Sequence, residues 1–142
     1  MIRPVILDSG PLGRIAHPRP NPEIAQWLSG LLTSGAAVLL SEIADYEVRR
    51  NLLLEGLTVS VGRLDQLKST LTYMPLTTQV MLRAAALWAI ARRQGQPTAD
   101  LKALDADVIL AAQAEQAGAV VATENIGHLS RFVDARNWRD IS

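Results

Sequence analysis

The sequence predicts an α/β fold, and three observations carry that reading. Short apolar runs at Val5-Ile6-Leu7, Ala36 to Leu40 and Ala119 to Ala122 have the length and composition of strands buried on both faces. The stretches between them carry helix caps and apolar residues at helical spacing. Strands alternating with helices imply right-handed crossovers, hence a mostly parallel sheet of four to five strands covered on both faces, a three-layer α/β/α sandwich.

Each element has its own signal. Val5-Ile6-Leu7 meets Asp8-Ser9-Gly10-Pro11, a strand that carries a carboxylate into a turn. His17 to Pro22 reads as a proline-rich loop. Asn21, Pro22 and Glu23 supply an N-cap, a first-turn proline and a first-turn acid for a helix reaching about Leu32. After the second strand, Ser41 caps a helix from Glu42 to about Glu55, which Gly56 stops. Leu57–Leu71 forms another amphipathic helix, and Tyr73 to Leu76 gives a weak strand signal. Thr77 or Thr78 caps an alanine-rich helix that ends at Gln94-Gly95, and Gln96-Pro97-Thr98 breaks the chain. A very apolar helix from Leu104 or Asp105 to Ala117 stops at Gly118. From Ile126 onward the pattern is loop, with one short edge strand expected near Asn137-Trp138. No repeat, low-complexity tract or linker divides residues 1–142, so one domain is expected.

Composition removes several function classes. With 49% hydrophobic and 20% charged residues the chain is too apolar for disorder, and its apolar runs are too short to span a bilayer. The absence of cysteine excludes disulfide scaffolds, zinc-thiolate sites and a thiol nucleophile and points to a reducing compartment, so a cytoplasmic protein is expected, and the short apolar runs lead us to expect no membrane partner. Fourteen basic residues balance fourteen acidic ones, but twelve of the fourteen are arginine, whose planar fork suits phosphates and carboxylates. Six aromatic residues are too few for a base-stacking platform.

In an open parallel sheet the functional crevice lies beyond the carboxyl ends of the strands. Asp8 ends the first strand, Glu47 lies in the helix after the second, and Asp105 and Asp107 open the helix before the last core strand, which delivers Thr123-Glu124-Asn125. Carboxylates gathered there without His or Cys make an oxygen-rich site suited to Mg²⁺ or Mn²⁺ and poorly suited to zinc. Residues two apart on a helix point to nearly opposite sides, so Asp105 and Asp107 cannot both serve one ion. With Asp105 as N-cap, Asp107 falls in the first turn, favoured by the helix dipole. Thr123 and Asn125 suit the orientation of a water or a carboxylate rather than cation binding. Structural alternatives stay open: a turn aspartate at Asp8, a solvated helical glutamate at Glu47, and acids that only cap the helix at Asp105 and Asp107. His17 and His128 receive no catalytic role.

Three segments carry a family resemblance. Ile6-Leu7-Asp8-Ser9-Gly10-Pro11-Leu12 resembles the opening segment of PIN-domain ribonucleases. Ser41 to Val48, with its acid at Glu47, resembles their second motif. Ala106 to Ala114, followed by Gly118 to Asn125, resembles the third. Order and spacing cover nearly the whole chain, and its size is similar to that of VapC-type toxins of bacterial toxin–antitoxin modules. The resemblance implies a PIN-like fold and a single-stranded RNA endonuclease in which Asp8, Glu47 and Asp107 are the catalytic and metal-holding residues. It also implies a cognate antitoxin and a homodimer. In-line attack of water would expel the 3′ oxygen and leave a 5′ phosphate. Where relatives carry a fourth acid this chain has Asn125, with His128 further on. Arg14, Arg49 and Arg50 are the expected RNA contacts, each also explicable as a solvated surface cation.

Rival readings make distinct demands. A haloacid-dehalogenase-like phosphatase needs a second aspartate where Gly10 stands, and a receiver domain needs an acid pair and a phosphorylatable aspartate that the sequence lacks. A PIN-fold RNA- or protein-binding module without cutting, and a housekeeping RNA-processing nuclease, remain as alternatives.

Overall fold

The structure of the protein, a computed structural model, describes residues 3–95 and 101–142. Five strands form one sheet: β1 (Val5–Leu7), β2 (Val38–Ser41), β3 (Thr72–Met74), β4 (Val120–Thr123) and β5 (Ala135–Asn137). Their order is β3-β2-β1-β4-β5, and every neighbouring pair is parallel. β1 is central, because the chain first winds outward through β2 and β3 and then returns to build β4 and β5 on the other side. That reversal beside β1 is the point where an open parallel sheet leaves a crevice.

The helices are α1 (Ser9–Ala16), α2 (Pro22–Thr33), α3 (Glu42–Leu54), α4 (Thr58–Thr70), α5 (Thr78–Arg93), α6 (Leu101–Ala117) and α7 (Ile126–Leu129). Alternation along the strands separates two layers of core. Val5, Leu7, Val38, Leu40, Val120 and Ala122 face α1 to α4, packing on Leu12, Ile24, Leu31 and Leu64. Ile6, Leu39 and Val121 face the other way, onto Leu110 and Ala114 of α6. Each large aliphatic side chain withdrawn from water in this way contributes roughly 1.5–3 kcal/mol. α5 then packs on α6 through Val80, Ala84 and Leu87 against Val108, Ala111 and Ala112. Among the described residues no helix is long and apolar enough to cross a membrane.

The expected caps form. The side chains of Asn21, Ser41 and Thr77 accept the N–H groups of Glu23, Ala44 and Val80. Gly56, with φ of 69°, ends the turn after α3 in a left-handed conformation that a side chain would strain.

Four expectations change. The turn expected after Asp8 is the start of α1, with Asp8 as its N-cap. α6 is already helical at Leu101, ahead of the start expected at Leu104 or Asp105, so Asp105 is no cap and Asp107 sits in the helix interior, beyond the reach of the terminal dipole. The tail expected as loop contains α7, and its edge strand is Ala135–Asn137, with Trp138–Asp140 a single 3₁₀ turn. The sheet is wholly parallel, where a mostly parallel one was expected. The break expected at Gln96-Pro97-Thr98 lies outside the described residues.

Candidate active site

Register fixes the floor of the site. Leu7 pairs with both Leu40 of β2 and Ala122 of β4. The next residues, Asp8, Ser41 and Thr123, therefore stand level at the carboxyl ends of the three central strands. Asp8 Oδ1 accepts the Ser9 N–H at 2.8 Å, and its Oδ2 accepts the Thr123 hydroxyl at 2.7 Å. The Thr123 oxygen in turn accepts the Asn125 N–H at 2.9 Å. Thr123 is fully buried, so its hydroxyl has no water to fall back on. A carboxylate offers about four lone-pair positions, and these two bonds leave about half of them open toward the crevice.

Glu47 and Asp107, both half-buried, complete an acidic group drawn from α3 and α6. Burial pushes Glu47 up from the usual carboxylate range; the Asp8 charge raises it further, Arg50 opposes and Asp107 adds. Asp107 is pushed up to about 6, first by burial and then by the Asp8 charge, with Arg131 opposing. Asp8 thus acts on both of the others through space. None of the ion pairs among the described residues uses Asp8, Glu47 or Asp107. Mutually repelling carboxylates without direct counter-charges are a donor set that fits a hard divalent cation. Among the described residues, however, no three such side chains are gathered closely enough to chelate one as they stand.

The surrounding residues differ in availability. Asp105 is exposed, on a different side of α6 from Asp107. The Asn125 side chain is exposed, and its backbone rather than its amide joins the Thr123 bond. Arg14 grips Glu124 with both Nε and Nη2, the latter at 2.8 Å, so its fork is already filled by a carboxylate. Arg49 binds Asp45 at 3.0 Å and Asp65 at 2.8 Å. Arg50 is exposed and lies over the Tyr46 ring at 5.2 Å.

Two features escaped the sequence. Arg131 biases Asp107 and its Nη2 stands 2.9 Å from His128 Nδ1, a pairing that depends on the α7 turn hidden in an apparent loop. A cavity of about 530 Å³ opens beside α1, between Gly10, Gly13 and Glu124. No local pattern signals it, because its walls come from opposite ends of the chain.

Comparison with known proteins agrees with this architecture. A chain of the FitAcB crystal structure from Neisseria gonorrhoeae aligns with a TM-score of 0.75 and 26% identity, covering 96% of this chain and 99% of that one. VapBC2 from Rickettsia felis, bound to a promoter DNA fragment, aligns with a TM-score of 0.77 over 97% and 99% of the two chains; at 18% identity it speaks for the fold alone. VapBC-1 from nontypeable Haemophilus influenzae gives 0.71 at 17% identity, covering 99% and 100%. No curated protein matches the chain. The PIN domain family matches residues 5–132, from β1 to just beyond α7, and the chain belongs to the PIN-domain family.

Proposed function

We propose that the protein is a divalent-metal-dependent endonuclease of single-stranded RNA and the toxin of a toxin–antitoxin pair. The observation that carries the nuclease reading is the facing of Asp8, Glu47 and Asp107 across the switch point of the sheet, each of the latter two raised by the Asp8 charge. The likeness, at 26% identity, to a chain of the FitAcB structure supports a protein antitoxin as partner. Mg²⁺ or Mn²⁺ suits this all-oxygen set. When bound, such an ion supplies positive charge for the phosphate oxygens and makes water a better nucleophile.

The chain's own residues have separable tasks. Asp8, Glu47 and Asp107 hold the ion, and Thr123 aims the Asp8 carboxylate. Arg50 lies one helical turn from Glu47 and draws the RNA backbone to the crevice mouth. Water oxygen bonds to phosphorus as the bond from phosphorus to the 3′ oxygen breaks. The departing oxygen takes a proton, and the 5′ phosphate remains on the downstream fragment.

Incubating the full chain with a fluorescent single-stranded RNA tests this. Cutting is expected with Mg²⁺ or Mn²⁺, lost in EDTA and in Asp8→Asn and Asp107→Asn. RNA binding without cutting under any of these metals would instead identify a binding module. Growth arrest on expression, relieved by a small protein encoded beside it, separates toxin from housekeeping nuclease.

A further inference from the structure

The cavity beside α1 has a chemistry that the acidic group does not explain. It is lined by Gly10, Gly13, Arg14, His17, Arg19 and Asn21, with Glu124 on the far wall. Its side chains are donors almost throughout. His17 Nδ1 accepts the Arg19 N–H at 3.0 Å, which leaves the proton of the neutral ring on Nε2. Asn21 Oδ1 accepts the Glu23 N–H at 2.7 Å, so its amide N–H groups remain to be used. Among the described residues no carboxylate pairs with Arg19. The one acceptor, Glu124, is held in the Arg14 fork, a geometry that a phosphate would fill equally well.

Two of the three residues that α1 gives to the cavity are glycines. Gly10 and Gly13 lie three apart on the helix, so they share one face. Neither is required by the fold: a Cβ at Gly10 meets nothing within 4 Å, and one at Gly13 meets only Val48 Cγ2 at 3.9 Å. Helix glycines with open space occur also at Gly30 and Gly62, so glycine alone signals nothing. What distinguishes this pair is that it walls a cavity of about 530 Å³ edged by donors, a size within the range of small-ligand sites. The cavity neighbours Asp8 along the chain, since Asp8 caps α1 and Glu124 follows the threonine bonded to Asp8.

We propose that this cavity is a subsite for one nucleotide of the single-stranded RNA beside the scissile phosphate, with its phosphate on Arg19, His17 and Arg14 and its sugar or base against the Gly10–Gly13 wall. The subsite rests on the nuclease reading above for its substrate. Glu124 competes with the phosphate for Arg14 and so weakens entry.

The test is binding of a 5′-labelled single-stranded RNA to the full chain in EDTA, read by fluorescence anisotropy and paired with melting temperature. Arg19→Ala and His17→Ala are expected to raise Kd about 3- to 10-fold, and Arg19→Ala to lower the salt slope by about 0.7, the value for one phosphate contact on a single strand. Glu124→Gln is expected to lower Kd. Gly10→Ala and Gly10→Leu should raise the melting temperature, because glycine is the poorer helix former, while Gly10→Leu raises Kd at least about tenfold. Gly30→Ala and Gly62→Ala, as controls, should raise the melting temperature with Kd unchanged. A Gly10→Leu protein that melts higher and binds RNA as the wild type does would overturn the subsite, as would an unchanged salt slope in Arg19→Ala; a cavity serving a protein partner gives that same result. Wild type that binds RNA in this residue-dependent way yet never cuts it with Mg²⁺ or Mn²⁺ would sink the nuclease reading and leave the subsite standing.

Discussion

The Thr123 hydroxyl stands 2.7 Å from Asp8 Oδ2, joining the ends of two adjacent parallel strands by one part-buried hydrogen bond. Because the same oxygen accepts the Asn125 N–H, Thr123 sets both the aim of the carboxylate and the turn that leaves β4. Groups that orient a metal-binding side chain are typically worth 10- to 100-fold in affinity or activity. Thr123→Val, which keeps the shape and removes the hydroxyl, is therefore expected to cut metal-dependent RNA cleavage by roughly 10- to 100-fold. It also removes the acceptor of the part-buried Asn125 N–H, a loss of about 0.5–1.5 kcal/mol. Thr123→Ser should retain most of both. Cleavage rates and urea denaturation on the two variants decide this, and equal activity in Thr123→Val and wild type would refute the orienting role.

The raised carboxylates make stability fall with pH in the metal-free protein. Asp107 holds its proton in the folded state up to about pH 6, whereas in the unfolded chain it loses it near 3.8. Between those values the folded state binds more protons, so stability declines as pH rises and then levels off. Glu47 shifts in the same direction and steepens the decline. Asp107→Asn should consequently match wild type near pH 4 and melt higher above about pH 7 in EDTA. Adding Mg²⁺ should raise the melting temperature of wild type alone and close that gap. A gap that stays constant from pH 4 to pH 8 would contradict the assignment. Mg²⁺ binding, which needs Asp107 ionised, should weaken as pH falls below about 6.

Most of the fold was legible because strand and helix signals are local. Val5–Leu7, the Ser41 cap and the Asn21-Pro22-Glu23 start each state their structure within a few residues. α1 was not legible, because Gly10, Pro11 and Gly13 in an eight-residue helix imitate a turn. Its stability comes instead from Leu12, Ile15 and Ala16, which are buried against the sheet. The early start of α6 hides behind Asp105, whose N-cap preference is real but unused here. Candidate acids could be named from where strands end, yet the coupling of Asp107 to Asp8 depends on burial and distance, which no sequence pattern carries. The partners of the arginines were equally invisible. Arg14 meets Glu124 110 positions away.

Those partners separate two arginines that are adjacent in sequence. Arg49 spans Asp45 and Asp65, and the Asp45 side chain is only 7% exposed, with Lys68 Nζ 3.8 Å away as its other counter-charge. Removing Arg49 leaves the buried Asp45 carboxylate to the longer Lys68 contact, so Arg49→Ala should lose about 1–3 kcal/mol of stability. Arg50, exposed over Tyr46, has no such duty. Arg50→Ala should leave the melting temperature within about 1 °C, since surface substitutions lie within about 0.5 kcal/mol, while weakening RNA binding and its salt dependence. Thermal melts and anisotropy titrations on both variants test the split. An Arg49→Ala protein with wild-type stability and reduced RNA affinity would reverse it.

The α3–α4 turn presents an apolar strip that the chain itself does not cover. Leu53 is 62% exposed, Leu54 84% and Val59 65%, with Leu57 also exposed. These residues follow one another closely in the chain, on either side of the Gly56 turn. Exposed apolar surface of this kind marks association, and the homodimer expected from the sequence would cover it. Leu54→Glu places a charge at the most exposed point of the strip without disturbing the core, since the residue packs on nothing buried. It should leave the melting profile of dilute protein nearly unchanged and shift the mass measured by light scattering at micromolar concentration from dimer to monomer. If Leu54→Glu remains dimeric, the dimer forms elsewhere; if the wild type is monomeric at that concentration, the strip is left for the protein partner, and Leu54→Glu should then weaken capture of the antitoxin instead.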